Sequence, residues 1–514
     1  MMSWLASRRR LAASAGVLAL VAAALALRLG FFGGLVGWDD VDYIDAAKAL
    51  RHGDYVVTST FRLRYALTVP LALSQAWIGE TRPSHALVPL VYSTAHLVLA
   101  YLLGTLYGGV SLGILAGALL AILPLDVVAA TDLHADLPVS VFMAAAVYAV
   151  ARGELASGRP RYWFFAGGVA LGLAFLAKEV ALALVVVLGG LAWAHRRRFV
   201  LLTPYAWLAL GLLLVVMADM AWMTVTVGHP LYRYSRPAAE FHLALMRAVP
   251  PGRGWMLGYT VMLLNPFAPT FGYFAGIFYL VLGGTVWGLR RRQAIVAGLT
   301  IWWATLFVLF NFAPFDRTFT RPLFHHFART LHPLCVPFVI ITALWLRDAL
   351  EGRRVLRAAV VGAFSMLAIA GIWATHFDQR QWAAVARQAA PVIDRFPNET
   401  VVIGDGVTIA LLRVLRPHRA DRLFVYGQPG SPRSGPMLVL RDPRFLSGSS
   451  RAPGAPPPEV FSPPRDWERV GTFARPRRPS LRGALRELLG QAQPRSIDEP
   501  ASLWKVPRLA PGDV

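Results

Sequence analysis

Acidic residues stand directly beside long apolar segments at two places in the sequence. Asp39 and Asp40 follow the first apolar segment, and Asp136 begins a later one. A positioned carboxylate can accept a proton from a reacting group, as general base catalysis requires. Side chains at the ends of rigid helices can project into a cavity. Their positions make Asp39, Asp40 and Asp136 candidates for a catalytic site. The alternative for the pair is that either carboxylate only caps the following helix.

Other polar residues surround these positions in the sequence and are further site candidates. They comprise a tyrosine, an aspartate and three histidines: Tyr43, Asp132, His134, His325 and His326. Together with His332, the aspartate and histidines have the residue types of a metal site. Their spacing matches no closed zinc pattern, so loop polarity or helix capping is the favoured interpretation. Whether a metal binds is left open, and a divalent cation is one possibility.

The elements that must position these residues are membrane-spanning helices. The chain has 514 residues, of which 56% are hydrophobic and 16% charged. Soluble domains carry about 25% charged residues. The apolar residues here form long uncharged runs, which is typical of a membrane protein. The single cysteine, Cys335, excludes a disulfide within one chain.

About eleven spans are predicted at roughly 20 apolar residues each. They are 11–29, 85–107, 110–128, 136–151, 162–178, 179–194, 199–219, 272–289, 294–312, 330–346 and 357–375. The segment 65–78 is apolar but short, and is expected to lie along the outer interface, as is 255–267.

Clusters of arginine fall in alternate short loops, of which 8–10, 196–198 and 290–292 are examples. Short basic loops stay cytoplasmic, so the N-terminus is predicted on the cytoplasmic side and the C-terminal region on the outer side of the membrane. The net charge of +22 then comes largely from arginines in the cytoplasmic loops, and no nucleic-acid partner is expected. The alternative for the first segment is a cleaved signal peptide.

The composition changes after residue 376, which predicts a transmembrane domain at 1–376 and an extracytoplasmic region at 377–514. In the second region, 400–406 is typical of a strand and turn, 407–415 of a helix, and 423–426 of a strand. A further strand is expected at 437–440 within a Pro-, Ser- and Gly-rich linker at 428–465, and a short helix near 480–490. The predicted fold is a polytopic all-α membrane protein with a small α/β unit on the outer side.

Four motifs, in order, resemble those of the polytopic GT-C glycosyltransferases. The relevant branch contains bacterial relatives of protein O-mannosyltransferases and the aminoarabinose transferase of lipid A. The motifs are Gly37 to Tyr43 with Asp39-Asp40 where an Asp-Glu pair is usual, Asp132 with Asp136-Leu137-Pro138, the glycine-rich Gly167 to Lys178, and Arg329 to Pro333 with Thr330 in place of an aromatic residue. The similarity covers roughly residues 10–350.

The resemblance implies a transferase with a polyprenyl-phosphate sugar as donor, its tail in the bilayer, and an unidentified glycan, lipid or protein acceptor. Asp39 aligns with the leading acid of the family pair and would be the base. The donor phosphate would be held by Lys178 and Arg329, followed by Arg28 and Arg321, because cationic groups stabilise the leaving charge. The alternative for Lys178 is snorkelling at a helix end. The alternative for Arg28 is that it merely anchors the first span in the membrane.

Two other classes of function stay open. A transporter or lipid-linked sugar flippase should place ionisable residues and broken helices near the bilayer midplane, often in two related halves. The charges of this sequence gather at one face and no repeat is evident, which favours the enzyme. A membrane scaffold is the third possibility, and in that case the acidic pair would be incidental.

Overall fold

The computed structural model describes most of the chain. The described residues are 2–37, 39–57, 59–155, 160–194, 202–235, 254–315, 317–319, 321–324, 327–403, 406–425, 436–443, 463, 466–474 and 500–506. They form two compact units. The first contains Met1–Phe32 and Asp42–Thr375, and the second contains Gly33–Val41 and His376–Val514.

Helices make up the first unit, and two of them continue into the second. In chain order they are α1 (Met2–Gly30), α2 (Asp39–His52), α3 (Tyr65–Ile78), α4 (Arg82–Gly108), α5 (Val110–Ala121), α6 (Pro124–Ala129), α7 (Asp136–Leu155), α8 (Pro160–Ala177), α9 (Ala183–Ala194), α10 (Leu202–Val227), α11 (Gly258–Leu264), α12 (Ile277–Arg290), α13 (Ala294–Phe312), α14 (Cys335–Leu344) and α15 (Arg354–Ile393). The residues of α2 up to Val41, and those of α15 from His376, belong to the second unit.

Seven of the described helical segments are long and apolar enough to cross a membrane, and five shorter ones are apolar. The predicted polytopic helical class is thereby confirmed, while the count of about eleven spans stays a prediction. One predicted span, 110–128, is divided in the structure. Its helix ends at Ala121 and a new helix begins at Pro124, because proline has no backbone N–H for the preceding turn and is favoured at a helix start.

Glycines let α8 pack closely against α10. A Cβ atom at Gly168 would lie 1.9 Å from the Leu208 carbonyl oxygen, and one at Gly211 would lie 2.3 Å from the Phe165 oxygen. Small residues at such positions allow helix backbones to approach, which is a common basis of packing in membranes. The glycine-rich motif before Lys178 thus has a packing role, and it fixes the helix end from which Lys178 projects.

The second unit contains a five-stranded sheet with the order β2-β1-β3-β5-β4. Its strands are β1 (Thr400–Ile403), β2 (Leu423–Val425), β3 (Met437–Arg441), β4 (Glu468–Phe473) and β5 (Ala501–Val506). The helix α16 (Gly406–Leu415) connects β1 to β2, which pair in parallel, as a crossover connection allows.

The predicted small α/β unit is confirmed, including the strands expected near 400, 423 and 437. Strands β4 and β5, which pair antiparallel with each other, were not predicted. The stretch of sequence between them is rich in Arg and Pro, which gives no hairpin pattern to predict from. The helix predicted at 480–490 and most of the linker at 428–465 lie outside the described residues.

Candidate functional site

Asp136, Lys178 and Arg329 lie together in the first unit. Lys178 Nζ donates to Asp136 Oδ1 at 2.7 Å, and Arg329 Nε lies 3.9 Å from Asp136 Oδ2. The Asp136 side chain is 6% exposed, whereas those of Lys178 and Arg329 are 20% and 29% exposed. A buried carboxylate is therefore flanked by two cations that both reach the surface of the unit. The sequence predicted all three as site residues, and their roles stay predictions.

Three different elements bring these residues together. Asp136 is the first residue of α7, Lys178 follows the last residue of α8, and Arg329 lies in a 3₁₀ helix at Ala328–Leu334. The N-terminus of a helix stabilises a carboxylate through its backbone dipoles. The backbone at Lys178 is extended, with φ −166° and ψ 134°, so the helix ends there.

His134 adds no charge to this group. Its Nδ1 lies 3.9 Å from Asp136 Oδ2, and its ring is buried. Burial lowers the pKa of His134 from 6.5 to about 3, with Arg329 and Lys178 acting in the same direction and Asp136 opposing them. The ring is thus neutral near pH 7. The group then carries the charges of one carboxylate and two cations, a net charge of +1, which suits an anionic ligand.

The acidic pair has two different environments. Asp40 is buried, and its carboxylate accepts hydrogen bonds from the backbone N–H groups of Val36 at 2.6 Å and Gly37 at 3.0 Å. Asp39 begins α2 and is half-buried. These bonds hold the turn before the helix, and the catalytic and capping roles of Asp40 both stay predictions. Asp39 stays the predicted base.

Tyr43 is fully buried on α2, where its hydroxyl is hydrogen-bonded to Arg64. The Arg64 guanidinium also lies 5.0 Å from the Phe61 ring centroid. Tyr43 was a predicted site residue, whereas Arg64 was not predicted, although it stands immediately before an apolar segment. Tyr43 thus connects α2 to the segment that precedes α3.

A second polar cluster is buried, and its members are hydrogen-bonded to one another. Arg28 donates to Asp126 Oδ2 at 2.5 Å and to Ser93 Oγ at 2.6 Å, and His96 Nδ1 lies 2.7 Å from Asp126 Oδ1. Arg28 and Asp126 are 1% and 0% exposed. A donor phosphate would have to displace these bonds to reach Arg28, so the structure gives no support to its predicted role in phosphate binding.

The same cluster contains the described residues with the composition of a metal site. The ligand atoms of His96, Asp126 and His332 lie within 4.8 Å of one another. The Arg28 guanidinium already neutralises Asp126. A divalent cation would add two buried charges next to that guanidinium, and burying uncompensated charge is costly. We therefore interpret the cluster as an ion-pair network.

Asp219 has a partner that the sequence did not reveal. Arg233 donates two hydrogen bonds to it, both of 2.8 Å, and the Arg233 guanidinium lies 5.6 Å from the Tyr65 ring centroid. The guanidinium also donates to the Leu63 carbonyl at 2.8 Å. Asp219 thus anchors the loop after α10 in an ion pair, which is the usual arrangement for an acid in an apolar segment.

The remaining predicted residues are distributed as follows. Asp132 is half-buried in the turn before α7, and Arg321 is half-buried beside a bridge between Pro314 and Pro322. His325 and His326 lie outside the described residues. The polar partners Asp126, His96 and Ser93 were not predicted from the sequence. A charged residue within an apolar run was the available indication, since such residues are rare and usually paired.

Comparisons with known proteins agree with this architecture. Residues 70–222 match the family model described as dolichyl-phosphate-mannose-protein mannosyltransferase. A crystal structure of ArnT from Cupriavidus metallidurans in the apo state matches with a TM-score of 0.61 and 15% identity, covering 96% of this chain and 98% of that one. The same protein bound to undecaprenyl phosphate matches with a TM-score of 0.61 and 14% identity, covering 95% and 97%.

The apo oligosaccharyltransferase of Archaeoglobus fulgidus matches with a TM-score of 0.47 and 12% identity, covering 85% of this chain and 70% of that one. No curated protein sequence matches the chain. The family model includes Asp136 and Lys178 and ends before Arg329. The chain has the GT-C membrane fold of ArnT over nearly its whole length, and the resemblance inferred from the sequence motifs is confirmed at the level of the fold.

Proposed function

We propose that this protein is a membrane glycosyltransferase that moves a sugar from a polyprenyl-phosphate-linked donor to an acceptor on the extracytoplasmic side of a bacterial plasma membrane. The observation that carries the proposal is the group of Asp136, Lys178 and Arg329 in a chain with this fold. The family model for residues 70–222 and the match to ArnT bound to undecaprenyl phosphate support the class of donor.

In this proposal Lys178 and Arg329 bind the phosphate of the donor. The lysine ammonium has three N–H donors and gives one to Asp136. Its other N–H donors can bind phosphate oxygens, and the planar guanidinium of Arg329 can donate two parallel hydrogen bonds to the phosphate. As the bond between sugar and phosphate breaks, negative charge grows on the phosphate. Because this charge is larger in the transition state than in the ground state, fixed cations stabilise the transition state more and so lower the barrier.

Asp136 positions these cations through its two carboxylate oxygens. It lies within 4 Å of both, so the group is preorganised before the donor arrives. Asp39 is the proposed general base, which removes the proton from the acceptor hydroxyl as that oxygen attacks the anomeric carbon. The acceptor oxygen forms the new glycosidic bond, and the polyprenyl phosphate leaves with the electron pair of the broken bond.

The experiment is a transfer assay with purified protein and a panel of polyprenyl-phosphate sugars. Consumption of one donor is expected, and it should be abolished in Asp39→Asn while the protein stays folded. Asp54→Asn is the matched control, because Asp54 is an exposed acid in the same loop region. Near-normal transfer in both Asp39→Asn and Asp40→Asn would contradict the assignment of the acidic pair.

A lipid-linked sugar flippase is the second candidate, favoured by one observation. Arg28, His96 and Asp126 are ionisable groups buried among apolar helices, and such groups mark transport pathways in many membrane proteins. A liposome assay separates the two functions. Transbilayer movement of a fluorescent polyprenyl-phosphate sugar without formation of a transfer product would favour the flippase.

A further inference from the structure

The turn that carries the acidic pair belongs to the C-terminal unit. Residues Gly33–Val41 cluster with His376–Val514, although more than 300 residues separate them in the sequence. Asp39 and Asp40 lie at the end of this segment. Contacts within this unit therefore contribute to where the segment places the two carboxylates.

Arg387 of α15 makes two hydrogen bonds to the segment. Its Nη2 donates to the carbonyl oxygens of Gly33 at 2.8 Å and Leu35 at 3.1 Å. The Leu35 side chain packs against the hydrophobic core of the C-terminal unit. A cationic donor shared by two carbonyls restricts the backbone on both sides of Gly34, because a charge-assisted hydrogen bond is stronger than a neutral one.

Gly37 brings the segment against α16. A Cβ atom there would lie 3.0 Å from the Val407 carbonyl oxygen and 3.3 Å from Leu411 Cβ. The φ angle of Gly37 is +93°, which glycine adopts without strain. The Asp40 carboxylate in turn accepts hydrogen bonds from the backbone N–H groups of Val36 and Gly37. An unbroken series of contacts thus extends from Arg387 to the residue beside Asp39.

We propose that the C-terminal α/β unit positions the acidic turn, and that Arg387 is its positioning residue. This inference rests on the proposed function, because it concerns the placement of the proposed base. A general base must lie within hydrogen-bond reach of the proton that it removes. Displacing a catalytic group by about 1 Å can slow a reaction by about 100-fold. Loss of the Arg387 bonds should therefore lower turnover without changing the residues that bind the donor.

The test compares Arg387→Ala with Gln388→Ala in the full-length protein. Gln388 is the neighbouring residue, and it donates to the Ala474 carbonyl at 2.8 Å, outside the 33–41 segment. Amide hydrogen exchange of the peptide containing Val36 and Gly37 is measured alongside steady-state transfer. In Arg387→Ala we expect faster exchange in that peptide, kcat lowered about 10- to 100-fold, and an unchanged KM for the donor. Gln388→Ala should change neither quantity.

Gly37→Ala perturbs the same turn at its contact with α16. It is the second test variant, to be used if Arg387→Ala fails to fold. It should have the same kinetic effect as Arg387→Ala, namely a lower kcat and an unchanged KM for the donor. Exchange and kcat both at wild-type values in the two turn variants would overturn the proposal, and so would faster exchange with normal kcat. If the wild-type protein transfers no sugar, the proposed function fails separately. Exchange alone then decides whether Arg387 holds the segment.

Discussion

Two clusters of similar composition lie close together in the sequence and differ in exposure. Each contains an aspartate, a histidine and at least one cation, centred on Asp126 and on Asp136. At Asp126 the arginine is 1% exposed and its guanidinium is bonded on several sides. At Asp136 the lysine is 20% exposed. Closed ion-pair networks serve structure, whereas cations that reach a surface can bind a ligand. The comparison predicts that the first cluster affects stability and the second affects activity.

The largest effect is expected from Asp126→Asn. This change removes the negative charge opposite Arg28 and leaves a buried guanidinium without compensation. Breaking a buried ion pair in this way lowers the free energy of unfolding by about 3–5 kcal/mol. Thermal unfolding of the detergent-solubilised protein measures the loss. A stable Asp126→Asn variant with reduced transfer would reverse the roles that we assign to the two clusters.

Lys178→Gln should change activity instead. Its ammonium group is partly exposed and Asp136 keeps Arg329 nearby, so we expect a smaller fall in unfolding temperature than in Asp126→Asn. Removing one preorganised group that stabilises developing charge lowers kcat by about 100- to 1,000-fold. Steady-state transfer and thermal unfolding, measured on the same preparation, test both statements. A marked loss of stability without loss of transfer would show that Lys178 is a structural residue.

His134 provides a pH test of burial in the Asp136 cluster. Burial lowers its pKa from 6.5 to about 3. Between these values the unfolded chain binds a proton that the folded protein does not. The contribution of His134 to stability is therefore present above pH 6.5 and is lost as the pH falls toward 3. The unfolding temperature of His134→Gln should decline less steeply over this range than that of the wild type. Parallel curves would contradict this assignment.

The smallest effect is expected at an exposed ion-pair group. Glu80 is 35% exposed and pairs with Lys48 at 3.2 Å and Arg51 at 3.1 Å. Exposed pairs contribute about 0–1 kcal/mol, so Glu80→Gln should scarcely change the unfolding temperature. The variant calibrates the Asp126→Asn measurement. A similar loss in both variants would mean that burial is not what distinguishes the Asp126 cluster.

The sequence predicted the parts of this molecule that depend on local patterns. Apolar runs predicted the helical class, and the family resemblance of the motifs named Asp136, Lys178 and Arg329 as site residues, whose roles stay predictions. Pairings between distant residues were not predictable. The interaction of Arg28 with Asp126 joins residues 98 positions apart, and that of Arg387 with Gly33 joins residues 354 apart. A single sequence shows the residue types of such pairs without the partner that each one finds in the fold.

Binding of undecaprenyl phosphate to the purified protein tests the central claim most directly. The account predicts saturable binding that falls about 100-fold or more when Lys178→Gln and Arg329→Gln are combined, because each lost charged hydrogen bond weakens binding by about 1.5–3 kcal/mol. The control Arg161→Gln removes an exposed arginine elsewhere and should bind as the wild type does. Undiminished binding by a folded Lys178→Gln, Arg329→Gln variant would contradict the claim that this open group holds a lipid phosphate.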